Sequence, residues 1–240
     1  MNDFNQADLV NEIEQEMHVN GNTLTYGNHT YTVNGSLGFG GMDRNGDGVV
    51  DNSAYRDKAT ATVTFTHVPS GYTEFEAVYN GLLGKSIHGT AAMIPMALEI
   101  YARDMSTGQR CFNLLCNSSV TVSSILSIVK TKLIPSPYAP VNDPYIQRYL
   151  AAALLKGATP ANAYCPVEPY TVEMCASVNT PRGTFGGMDY FVYIIARGWD
   201  TIQRQVEILQ PTGAEYFKVY NCPSCYTQCK NIQGNWGGLK

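Results

Sequence analysis

Four runs of apolar and β-branched residues, 170–177, 190–196, 203–209 and 215–220, follow one another toward the end of the chain, parted by turn clusters such as Thr180-Pro181-Arg182-Gly183 and Pro211-Thr212-Gly213. Strands met in this order with short links pair antiparallel, because a parallel neighbour needs a long crossover connection. This meander limits the chain to folds with an antiparallel sheet. What precedes it reads as helical, so the expected class is α+β: a helical middle packed on a mainly antiparallel C-terminal sheet, with an N-terminal helix and β-hairpin segment ahead of both.

The helical middle is read from apolar spacing and caps. A helix starting near Thr73, with Glu76 three residues on in capping-box register, runs to Gly81. A second, over 90–103, is apolar on more than one face and so is expected to be the buried central helix, with Pro95 tolerated in its first turns or marking a kink. Shorter helices are expected over 110–115 and 120–130. A further helix is predicted over 144–156, with Pro144 in its first turn and Gly157 after its end. Gly81-Leu82-Leu83-Gly84-Lys85-Ser86 lacks the leading glycine of a phosphate loop and reads as a helix-to-helix turn with glycine at the cap. The alternating run 59–66 is expected as a strand at the edge of the sheet.

Residues 1–57 are expected to form an accessory segment and 58–240 the main domain. In the first, an amphipathic helix over 3–17 and strands over 23–26 and 30–33 lead to Asp43-Arg44-Asn45-Gly46-Asp47-Gly48-Val49-Val50-Asp51. That stretch follows the calcium-loop order D-x-[DN]-x-[DN]-G, in which alternate oxygens converge on a hard cation. Asp43, Asn45 and Asp47 would give side-chain oxygens, Val49 its carbonyl, and Asp51 a direct or water-mediated contact. Ala54 stands where a bidentate Glu belongs, so Ca2+ binding is expected to be weak, roughly 10⁻⁴ to 10⁻³ M. The flanks read as strands rather than EF-hand helices, and a metal-free Asp/Asn/Gly turn is the alternative.

Charged residues make up 15% of the 240, with a formal net charge of −4, while 16 tyrosines and many Asn and Thr supply the polar surface. Nucleic acid is not an expected partner, since phosphate binding needs a basic stripe and Lys130, Lys132, Arg197 and Arg204 are scattered. No apolar run is long enough to span a membrane, and the first residues lack a signal-peptide pattern. A cytoplasmic chain is the expectation, with an extracellular setting as alternative. Seven cysteines include the run Cys222-Pro-Ser-Cys225-Tyr-Thr-Gln-Cys229. Zinc would need a fourth ligand from Cys165 or Cys175 and is not expected; disulfide or redox use and ordinary reduced thiols stay open.

The segments V-Y-N-G-L-L-G-K-S-I-H-G-T-A-A-M-I-P-M-A-L-E-I-Y (78–101), Q-R-Y-L-A-A-A-L-L-K-G-A-T-P (147–160), E-P-Y-T-V (168–172), G-W-D-T (198–201) and Y-N-C-P-S-C-Y-T-Q-C (220–229) resemble an uncharacterised bacterial family described only as a domain of unknown function. The resemblance covers roughly 60–240 and implies no activity or catalytic residue.

Two function classes follow. A non-catalytic binding or assembly module would use the neutral, Tyr-rich surface for protein contacts, whether self-association or a partner, with the loop adding calcium-dependent rigidity. The alternative is a small hydrolase or transferase using His88, in a turn with Lys85 and Ser86, with a Cys such as Cys165 or a carboxylate. Glu76, Glu99, Glu168, Glu173 and Asp200 are the available acids, each expected to be structural, and Trp199 and Trp236 read as buried anchors or sugar platforms.

Overall fold

The computed structural model describes residues 16–39, 59–138, 143, 145–177 and 181–240. Among these lie nine strands: β1 (Met17–Asn20), β2 (Thr23–Tyr26), β3 (His29–Gly35), β4 (Ala61–Phe65), β5 (Tyr170–Ala176), β6 (Arg182–Thr184), β7 (Gly187–Ile195), β8 (Gln203–Pro211) and β9 (Lys218–Asn221). Four α-helices, α1 (Tyr72–Gly81), α2 (Ile87–Arg103), α3 (Met105–Leu115) and α4 (Ser119–Leu133), fall between β4 and β5. The class is α+β.

All named strand pairs are antiparallel and belong to one sheet, in the order β1-β2-β3-β4-β5-β7-β8-β9, with β6 paired to β7. The run expected at the edge is therefore central. β4 pairs with β3 through Tyr31↔Phe65 and with β5 through Phe65↔Tyr170. Alternation fixes which face of β4 is buried but says nothing of its neighbours, and Ala61, Val63 and Phe65 do turn inward while Thr62 and Thr64 do not. The β9 edge is covered by the α3–α4 link, where Cys116 bridges Val219 and Asn117 N–H donates to Val219 O at 3.0 Å. β1, exposed at all four residues, is the other edge strand among the described residues.

β3 and β4 meet at their ends, where Ser36 N–H donates to Thr60 O at 3.1 Å. Gly35 sits there with φ +75°, and a Cβ on it would lie 2.2 Å from Thr60 O. Only glycine fits this closure.

α2 is the central helix, with every residue from Gly89 to Tyr101 buried, packed on α3 and on β4, β7 and β8. It begins three residues earlier than the apolar pattern predicts, because Ser86 caps it by accepting from Gly89 N–H at 3.1 Å. Pro95 consequently lies in the helix interior rather than its first turns. α1 is capped differently from expectation as well: Gly71 rather than Thr73 is the N-cap, and Glu74 takes the role given to Glu76 by reaching back to Ser70 N–H at 2.7 Å. The turn between α1 and α2 is confirmed as a helix-to-helix link, a 3-10 turn at Leu83–Lys85, although the cap is Leu82 and Gly81 is the last helical residue.

The helix predicted over 144–156 does not form among its described residues; they make turns and a short 3-10 helix, Ala152–Leu154. Its alanines and leucines have high helix propensity, but Leu150 through Leu155 are all buried, and tertiary packing overrides a preference worth tenths of a kcal/mol per residue. Met17, the last residue of the predicted N-terminal helix, is in β1; residues 3–15 lie outside the described residues.

Candidate functional site

The calcium-loop residues Asp43, Asn45, Asp47, Val49 and Asp51 lie outside the described residues. The elements on either side of them, β3 and β4, are strands.

His88 is the second residue of α2, and its Nε2 is buried without a hydrogen-bond partner, so it is joined through that atom to neither thiol nor carboxylate. Burial lowers its pKa and favours the neutral ring. Cys165 is the exposed thiol of the seven. Cys222, Cys225 and Cys229 are buried, and burial pushes Cys225 to about 12 and Cys229 to about 11, the opposite of an activated nucleophile. Cys222 is raised well above the ordinary thiol value, first by burial and then by its neighbours Cys225 and Cys116. Cys116, a thiol the zinc reading did not consider, is thus among the neighbours of Cys222. No cluster of three or more metal-ligating side chains suited to a metal ion occurs among the described residues.

Each acid named from the sequence has a partner. Glu76 accepts from Tyr72 Oη at 2.8 Å, Glu99 pairs with Arg103 at 2.9 Å, Glu168 with Lys240 at 2.9 Å, Glu173 with Lys156 at 2.8 Å and Asp200 with Lys230 at 3.2 Å.

One constellation has no counterpart in the sequence reading. Glu74, 2% exposed, accepts from Tyr31 Oη at 2.7 Å, from Ser70 N–H at 2.7 Å and from Ser70 Oγ at 2.9 Å, and lies 2.6 Å from His29 Nδ1. His29 stacks on His67 with ring centroids 4.4 Å apart. The carboxylate is surrounded by donors and ties the β2–β3 hairpin to α1. Desolvation and the adjacent carboxylate hold the Tyr31 phenol protonated far above its ordinary pKa.

A second constellation is built around Arg204, at the start of β8. A cavity of about 380 Å³ lies between the β7–β8 turn, which supplies Trp199, Asp200 and Thr201, and the loop after the last 3-10 turn, which supplies Thr227 and Lys230. Buried side chains fix both walls. Gln147 clamps the loop by donating from Nε2 to Cys229 O at 2.7 Å and accepting Cys229 N–H at Oε1 at 2.8 Å. Tyr164 Oη sits 2.9 Å from Gly198 O and 2.7 Å from Lys230 O, and Lys230 N–H donates to Gly198 O at 3.1 Å, so the two walls are joined directly. A Cβ on Gly198 would lie 2.2 Å from the Tyr164 ring, which is itself stacked on Tyr149 at 4.8 Å.

Arg204 is half-buried and has no ion pair among the described residues. Its Nε donates to Gln203 O at 3.2 Å, and its guanidinium lies 5.3 Å from the Trp199 ring centroid. Burial lowers its pKa from the ordinary arginine value, with the charge retained. Trp199 is buried, as one of its two readings held, yet its indole N–H has no acceptor. Chemically the site offers charged and neutral donors on a rigid frame and no activated nucleophile among its named groups.

Three of the five segments behind the family resemblance converge here: Gln147 from the second, Gly198 to Thr201 from the fourth, and the Cys229 loop from the fifth. A family model described as a domain of unknown function (DUF6935) matches residues 67–233, from just after β4 to beyond this loop. No curated protein and no solved structure matches the chain.

Proposed function

The chain belongs to this family of unknown function, and from its geometry we propose that it is a non-catalytic binding or assembly module whose working surface includes the Arg204 pocket. The observation that carries the reading is the half-buried guanidinium with no acidic partner, set between walls fixed by Gln147 and Tyr164. Charge left open on a pre-organised frame is suited to holding a ligand at low entropic cost. Exposed apolar groups support the assembly side of the proposal: Phe185, at the turn from β6 to β7, is fully exposed. The calcium loop at Asp43, Asn45, Asp47, Val49 and Asp51 belongs to the same proposal as a stabiliser inserted between two paired strands.

Amide hydrogen exchange on the full chain, with and without a panel of small neutral and charged compounds, tests the binding role. Protection confined to residues 198–204 and 227–231 is expected; a panel that protects neither segment, in a protein that stays monomeric by light scattering, removes the proposal. Iodoacetamide at neutral pH is expected to modify Cys165 and leave the buried thiols untouched. Rapid capture of a buried thiol would turn the reading toward thiol chemistry instead.

A further inference from the structure

We propose that the Arg204 pocket holds the oxyanion end of a small ligand, a carboxylate or a phosphate, between the Arg204 guanidinium and the Lys230 ammonium. This rests on the binding reading above and names the chemistry of what is bound.

The charges in the cavity are Arg204, Lys230 and Asp200. Asp200 is turned to solvent, 93% exposed; it pairs with Lys230 at 3.2 Å and acts on Arg204 only through space, without an ion pair. Arg204 makes no carboxylate contact, so the inner end of the cavity is positive. A cation would meet two like charges there, and a neutral ligand would leave a half-desolvated guanidinium uncompensated. An oxyanion answers both, since the planar guanidinium fork matches two oxygens of a carboxylate or phosphate.

The orientation of the fork is set from two sides. Its Nε is committed to Gln203 O and one face lies against the Trp199 indole, which leaves the terminal N–H donors free of any acceptor among the described residues. Thr201 lines the same cavity. The indole N–H of Trp199 is buried without an acceptor. The open N–H groups of the guanidinium are donors only, so they select an acceptor.

Lys230 reaches the ligand by exchange. Its pair with Asp200 is exposed on both sides and therefore weak. The entering oxyanion takes the ammonium from Asp200, which returns to water with little loss. Asp200 accordingly works as a competitor tethered at the mouth of the cavity, and its charge sets how tightly the anion is held.

The test uses the full chain in a chloride-matched buffer, titrated separately with inorganic phosphate and with acetate and read by thermal melting and amide exchange. Saturable stabilisation by at least one of them is expected, and the two arms distinguish a phosphate from a carboxylate preference. Arg204→Gln should weaken the response roughly tenfold or more, the scale of a charged hydrogen bond. Lys230→Ala should weaken it several-fold, and Asp200→Asn should tighten it several-fold. The last two changes are at exposed positions and keep the test intact if Arg204→Gln fails to fold. Equal responses from all variants would overturn the assignment, because the anion would then act elsewhere. Protection of 198–204 by neutral compounds, with none from either anion, would overturn the oxyanion assignment and leave the binding role standing. No protection by any compound would sink both.

Discussion

Glu74 and Arg204 are both charged groups drawn into the protein, and they differ in how their hydrogen-bonding capacity is used. The Glu74 carboxylate faces His29, two donors from Ser70 and the Tyr31 hydroxyl. Arg204 spends one N–H on a backbone carbonyl and turns the rest toward a cavity. A buried charge whose every lone pair is met is a fastening; one held rigidly with donors to spare is available for something from outside the chain. Burial alone would not have separated the two.

The comparison is broken most directly at Glu74. Glu74→Ala leaves the donors of Tyr31, Ser70 and His29 without their acceptor and is expected to cost about 3 kcal/mol or more in urea unfolding, since each stranded buried group costs about 1–3 kcal/mol. The phosphate or acetate response of whatever stays folded should be unchanged. A loss under about 1 kcal/mol would mean the network is not a fastening.

Gly198→Ala comes next, since the added Cβ meets the Tyr164 ring at 2.2 Å. Overpacking of this kind costs about 1–3 kcal/mol. Unlike the first change, it should also loosen the 227–231 loop, visible as faster amide exchange there.

Tyr164→Phe keeps the ring and removes only the hydroxyl that reaches Gly198 O and Lys230 O, so about 1–2 kcal/mol is expected. A weakened anion response alongside that modest change would tie wall rigidity to binding. An unchanged response would show that the frame is stiffer than ligand capture requires.

The smallest effect concerns the loop between β3 and β4. Millimolar Ca2+ after EDTA treatment is expected to raise stability by roughly 1 kcal/mol, the mass-action gain at a few times a weak dissociation constant. Asp43→Ala should abolish that gain while leaving the Glu74 and Arg204 changes as they are. A wild type indifferent to calcium would reduce the loop to a turn.

The elements legible from sequence were those whose signal is local. Strand-like runs bounded by turn clusters placed β5, β7 and β8 within a few residues, and the apolar pattern located α2, because period and burial coincide there. The error over 144–156 arose where strong local propensity met a stretch, Tyr149 to Leu155, that is buried throughout. Neither site could be read. Glu74 finds His29 and Tyr31 45 and 43 positions away, and no spacing rule links them. Arg204 looked like one of several scattered charges because its burial depends on a loop more than twenty residues later, itself held by Gln147, 82 positions from Cys229. The nearest sequence clue was the coincidence of Gly198, Trp199 and Asp200 in one of the family-like segments.

The tight mouth at Gly35 and Thr60 also bears on how this chain can diversify. The ends of the stretch between β3 and β4 are held together by the sheet itself, so closure does not depend on the length between them, and doubling that length adds only about 0.6 kcal/mol of closure entropy. The joint is therefore a natural port for grafting, where a fluorescent reporter or an unrelated binding loop should be accepted with the helical layer and the anion pocket left undisturbed.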